Sequence, residues 1–152
     1  MNISDNGVKF IAQFEGFRAK PYKDCVGIPT IGYGTTHYDD GKAVTMNDKP
    51  VSQEQALTYL KHYVENKVSH YLNTEFPDLT QTQFDALCSF CYNLGSHALA
   101  TSTLKVDIHH NATSAIIKND FLKWSNAGGH VVQGLLTRRG HEADLFNNGI
   151  YE

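Results

Sequence analysis

Two acids and a hydroxyl lie close together near the start of the chain. Glu15 ends a helical pattern, Asp24 follows nine residues on, and Thr30 comes six beyond that. An acid and a carboxylate flanking a glycosidic bond can protonate the leaving oxygen and stabilise the charge left on the sugar. A hydroxyl beside them can hold a water for attack. With 16 acids in 152 residues such spacings arise often, so position has to strengthen the case. Glu15 falls in the last helical turn, where the helix dipole disfavours negative charge. Its neighbours Phe14 and Phe17 would withdraw it from water, which favours the protonated form a general acid needs. A plain surface glutamate paired with Arg18, three residues on, would fit the same pattern. Asp24 could be an Asx-turn residue and Thr30 a simple strand former. The conjunction of the three is what singles them out.

Elements able to hold these groups can be read around them. Val8, Ile11 and Ala12 share a helical face from Ser4 to about Phe14, Ser4 or Asp5 can cap it, and Gly16 stops it. The stretch Lys20–Val44 is rich in Gly, Pro, Tyr and Thr and reads as a small antiparallel sheet or hairpin pair. Within it, period-two alternation puts Thr30, Gly32 and Gly34 on one face and Ile31 and Tyr33 on the other. The glycine face would be a shallow floor on which a ligand meets backbone.

The remainder reads as helical. Ser52–Gln55 and Thr80–Gln83 have the form of capping boxes. The first opens a long amphipathic segment through Leu57, Leu60, Val64, Val68 and Tyr71, and the second a helix closed by Gly95. Short helices follow near 102–108 and 114–124. A Gly128-Gly129 break and a short Val131-Val132 piece lead to a last helix from about Leu135 to Phe146. The order implies one α+β domain over 1–152, a small antiparallel β lobe against a larger helical lobe, with the site in the cleft between them.

Composition narrows the function classes. At 41% apolar and 19% charged residues, the chain is that of a soluble globular domain. A net charge of −3 argues against general nucleic-acid binding. The local basic spots Lys118, Lys123, Arg138 and Arg139 are interleaved with acids and read as solvated faces. No apolar run is long enough to span a membrane, and the start MNISDNGVKF lacks the pattern of a secretory signal. A product of the cytoplasm is expected. Cys88 and Cys91, three apart in a helical pattern, are expected as buried thiols. The histidines are scattered, and His141-Glu142 lacks the second histidine of a zincin, so no metal or other cofactor is implied.

Glu15-Gly16-Phe17-Arg18, Tyr22-Lys23-Asp24, Gly27 and Thr30-Ile31-Gly32-Tyr33-Gly34 together look like the active-site segment of the phage-type lysozymes (endolysins), glycoside hydrolase family 24, and the resemblance covers the whole chain. The likeness continues in Tyr92-Asn93-Leu94-Gly95, Thr101-Ser102-Thr103-Leu104, Trp124, Ala127-Gly128-Gly129, Gly134-Leu135-Leu136, Arg138-Arg139, Glu142 and Leu145. It implies a lysozyme-like fold and hydrolysis of the β-1,4 bond between N-acetylmuramic acid and N-acetylglucosamine in peptidoglycan. Glu15 would be the proton donor, Asp24 would orient water and stabilise charge at the anomeric carbon, and Thr30 would hold the attacking water.

By the same resemblance one of Arg138 and Arg139 would brace Glu15. Helical spacing points to Arg139 and alignment from the helix end to Arg138, so both stay open. Asn93 would contact sugar, or else serve the helix end beside Gly95. Trp124 would pack in the core rather than stack on sugar. The expected partner is a glycan strand, met by a monomer without nucleic acid or membrane insertion. Lacking an anchor, the protein would reach the wall through a lesion made by another protein. Its slight acidity should leave wall binding only mildly salt-dependent. The rivals are a lytic transglycosylase cutting the same bond without water, and a non-catalytic wall-binding phage module.

Overall fold

Ser4 starts the first helix by accepting the Gly7 amide, and α1 (Asp5–Glu15) runs until Gly16, at φ 70°, ends it. The computed structural model describes residues 1–152. Strands β1 (Arg18–Lys23) and β2 (Pro29–Gly32) form an antiparallel pair with Tyr22 opposite Thr30. Their register shifts between Arg18 and Tyr22, the interval that contains Pro21. Proline has no N–H to give the ladder, which accounts for the irregularity. Isolated bridges Ile31–Thr35 and His37–Ala43 complete this small lobe.

Both expected capping boxes are present, at Ser52/Gln55 opening α2 (Gln53–Lys67) and Thr80/Gln83 opening α4 (Gln81–Leu94). The long segment expected after Ser52 is two helices. It breaks at Val68, and α3 (Ser69–Glu75) follows. The break turns Val68, Leu72 and Phe76 into one core. After α4 come α5 (Ser96–Ala100), too short to show a period in sequence, then α6 (Thr103–His109) and α7 (Ser114–Leu122). The Gly128-Gly129 break is a tiny hairpin, β3 (Asn126–Ala127) with β4 (His130–Val131), before α8 (Gln133–Asn148).

Helix α4 is the axis of the helical lobe: every residue from Phe84 to Cys91 is buried. A helix wrapped on all sides is core rather than surface. Cys88 and Cys91 are free thiols within it. Burial pushes Cys91 up to about 12 and Cys88 well above the usual thiol range, so neither is a nucleophile. Trp124 meets Phe90 edge-on at 5.7 Å, the expected packing role.

The glycine floor expected on β2 is not there. The strand ends at Gly32, whose φ of 65° breaks the alternation. Thr30, Ile31, Gly32 and Tyr33 are all buried. A Cβ on Gly32 would stand 2.9 Å from that of Ala56, so this glycine admits helix α2 instead of a ligand. The small lobe is thus packed onto α2, and the Val51 amide, just before that helix, donates a hydrogen bond to the Ala19 carbonyl of β1 (2.9 Å).

Asp85, fully buried on α4, holds both ends of the chain. It accepts from the Ser4 amide (3.1 Å), the Ser4 hydroxyl, the Gln81 amide (2.9 Å) and the Tyr151 hydroxyl (2.7 Å). Gly7 is in helix α1 above it, and a Cβ there would lie 2.5 Å from the Asp85 carboxyl carbon. Helix propensity alone favours alanine over glycine by about 1 kcal/mol. The close approach reverses that sign. Gly7→Ala should lower stability by about 1–3 kcal/mol, as overpacking does, measured as a reduced urea midpoint with unchanged slope.

Candidate active site

Glu15, the last residue of α1, keeps 22% of its side chain exposed and meets Arg138 of α8, Nη1 to Oε1 at 3.1 Å. The surface pairing with Arg18 does not form. Arg18 lies instead over the Tyr22 ring at 4.3 Å. Arg138 is itself buried, its guanidinium 4.9 Å from the centre of the Phe14 ring, and it donates to the Ser89 carbonyl at 3.3 Å. The brace on Glu15 is therefore held from three sides before any ligand arrives.

Behind it lies a fully buried carboxylate, Glu142. Arg138 and Arg139 precede it by four and three residues and approach its two oxygens at 3.4 and 3.2 Å. Ser89 donates to it as well. Burial pushes Glu142 above the usual carboxylate range, and the two guanidiniums pull it back. Arg139 forms no ion pair with Glu15; its guanidinium lies 5.3 Å from the centre of the Phe90 ring and donates to the Asn93 side chain. Of the two arginines left open by sequence, Arg138 touches Glu15 and Arg139 supports Asn93. The formal charges of Glu15, Glu142, Arg138 and Arg139 cancel.

Asp24 opens the β1–β2 turn and Thr30 lies in β2 just beyond it. The Asp24 Oδ1 accepts the amides of Val26 (3.0 Å) and Ile28 (2.9 Å), an Asx-type closure. The Asp24 amide and the Thr30 hydroxyl both donate to the Ile28 carbonyl, at 3.0 and 2.9 Å. The structural role foreseen for Asp24 is real, and it occupies one carboxylate oxygen only. The Thr30 hydroxyl has its proton directed to backbone, which leaves its lone pairs as acceptors.

A cleft of about 780 Å³ runs between the lobes with Glu15 and Asn93 in its wall. Gly34, Tyr38, Tyr59 and Tyr63 line it too, whereas Asp24 and Thr30 are not among its lining residues. Tyr92, also in the wall, donates to the Tyr33 carbonyl at 2.8 Å. Burial first, then the charge of Glu15, pushes its phenol up. The role of Glu142 escaped the sequence reading, although its spacing of three and four from two arginines on one helix was a usable signal. The cleft tyrosines left none, because in sequence they resemble core residues.

The family described as Phage lysozyme matches residues 12–142. An endolysin of Bacillus phage B103 is 39% identical over 149 residues, which is 98% of this chain and 55% of that protein. The chain thus spans about half the length of that relative. An endolysin of Salmonella phage P22 is 37% identical, over 96% of this chain and 98% of its own length. Among solved structures, an endolysin from Escherichia coli O157:H7 phage FAHEc1 superposes with a TM-score of 0.88 at 35% identity, covering 100% of this chain and 97% of that one.

Replacing each arginine by methionine separates their roles. Arg139→Met leaves Glu142 with one guanidinium and should cost about 3–5 kcal/mol of stability, the usual result of breaking a buried pair. The Arg138 hold on Glu15 is kept, so the activity of the folded protein should largely survive. Arg138→Met takes one guanidinium from Glu142 as well and should cost a similar amount of stability, but it alone also removes the group that holds Glu15, so it should lose more of its activity. Thermal unfolding and wall-lysis rates on both variants read the two effects apart.

Proposed function

The chain belongs to the phage lysozyme family, and we propose that it is a peptidoglycan hydrolase. On this reading it is an N-acetylmuramidase that cuts the β-1,4 bond between N-acetylmuramic acid and N-acetylglucosamine. The observation that carries the reading is Glu15 in the cleft wall, held by a buried arginine 123 residues away in sequence. A carboxyl group fixed in this way can hand its proton to the glycosidic oxygen of a strand in the cleft.

Asp24 stabilises the positive charge that develops on the sugar ring as the bond opens, through the oxygen its turn does not use. Thr30 accepts a hydrogen from the attacking water, so that a lone pair of that water faces the anomeric carbon. The turn makes this division of labour coherent, since one carbonyl, that of Ile28, fixes both groups. Water delivered opposite the leaving oxygen gives inversion. Asn93, with its oxygen occupied by Arg139, offers its amide N–H to the sugar. The partner is a glycan strand and the acting unit a monomer. No helix is long and apolar enough to cross a membrane.

Mass spectrometry of digested peptidoglycan tests the reaction. Reducing-end muropeptides are expected, and anhydro ends would establish the transglycosylase instead. Glu15→Gln should fold and lose about two to four decades of rate, the weight of general acid catalysis. Thr30→Val, which keeps the volume and loses the hydroxyl, should hydrolyse slowly. Wild-type turnover by Thr30→Val would remove the water-holding role.

A further inference from the structure

Helix α2 carries a second stripe beside its core-facing one. Ala56, Leu60 and Val64 are buried, and Tyr59 and Tyr63 each precede a core position by one residue, about 100° round the helix. That rotation brings both tyrosines to the cleft, where Asn66 continues the line at the next turn. The two rings are one helical turn apart, about 6 Å along the axis. Neither is loose. Tyr59 meets Tyr38 edge-on with centroids 5.5 Å apart, and Tyr63 meets Tyr92 in the same way at 5.5 Å.

The rear pair is anchored. Tyr38 donates to Asp48 at 2.7 Å, and Tyr92 donates to the Tyr33 carbonyl at 2.8 Å. Two fixed rings thus hold two forward rings by their edges, and the forward Tyr63 remains 51% exposed. An exposed aromatic held in one orientation at the wall of a polar cleft is an unusual use of apolar area. Pyranose rings have C–H faces that pack flat against aromatic planes, while their hydroxyl and acetamido groups stay wet.

We propose that Tyr59 and Tyr63 form a stacking rail for N-acetylhexosamine residues beyond the bond that is cut, with Asn66 placed to hydrogen-bond an acetamido group. The rail rests on the peptidoglycan reading for its ligand class. It makes the protein dependent on glycan length: units stacked on the rail add binding to those held at Glu15, so long strands are held better than short ones. Tyr63 acts through ring contact alone, so its hydroxyl is dispensable.

Two measurements test this. The first is steady-state cleavage of long glycan strands. Tyr63→Ala should raise KM about tenfold, equivalent to about 1.4 kcal/mol, with kcat within about twofold, and Tyr63→Phe should restore KM. The second uses Glu15→Gln protein and a soluble β-1,4 N-acetylglucosamine hexamer, followed by calorimetry. Adding Tyr63→Ala should weaken binding about tenfold, and Tyr63→Phe should restore it. A hexamer that binds equally to the Tyr63→Ala protein, or does not bind at all, overturns the rail. Wild-type protein that cuts no wall yet shows Tyr63-dependent hexamer binding overturns the hydrolase reading and leaves the rail standing.

Discussion

A carboxylate with no access to water, Glu142, dictates the arrangement of the helical lobe. Ionised and alone, such a group would cost several kcal/mol. Two guanidiniums and the Ser89 hydroxyl compensate it, and each compensating group comes with a position attached. Arg138 must lie across Phe14 of α1, and Arg139 against Phe90 of α4. Helices α1, α4 and α8 therefore meet in one register. Glu15 and Asn93, the two cleft residues at the edge of this cluster, inherit their positions from it.

The small lobe obeys a different constraint. It has little core of its own, and it gains rigidity from a turn closed by Asp24 and from Gly32 letting α2 come close. The same carboxylate that closes the turn keeps an oxygen free of it. The candidate site joins a group positioned by buried charge to two positioned by local backbone bonds.

Much of this was legible in the sequence because it was local. Capping boxes at Ser52 and Thr80 and the stop at Gly95 involve residues three or four apart, and they are where the pattern puts them. Glu15, Asp24 and Thr30 could be named because their spacing lies within one continuous segment. The choice between Arg138 and Arg139 could not be made, since both lie on the buried side of α8 and only the packing of α1 and α4 tells them apart. The glycine floor failed for a related reason. Alternation presumes a regular strand, and the left-handed backbone at Gly32 ends it. The division at Val68 was hidden because apolar spacing runs on across it.

The clasp at Asp85 and the brace at Glu15 also bear on when the protein becomes competent. Asp85 gathers Ser4 and Tyr151, and Glu15 waits for a partner that emerges 123 residues later. Helix α1 is made first, yet its packing surface is supplied by α4 and its charge partner by α8. A nascent chain that stops short of α8 holds Glu15 with no brace. The candidate site is assembled only after translation has passed α8, so its two halves, made far apart in time, meet after the helices between them are already formed.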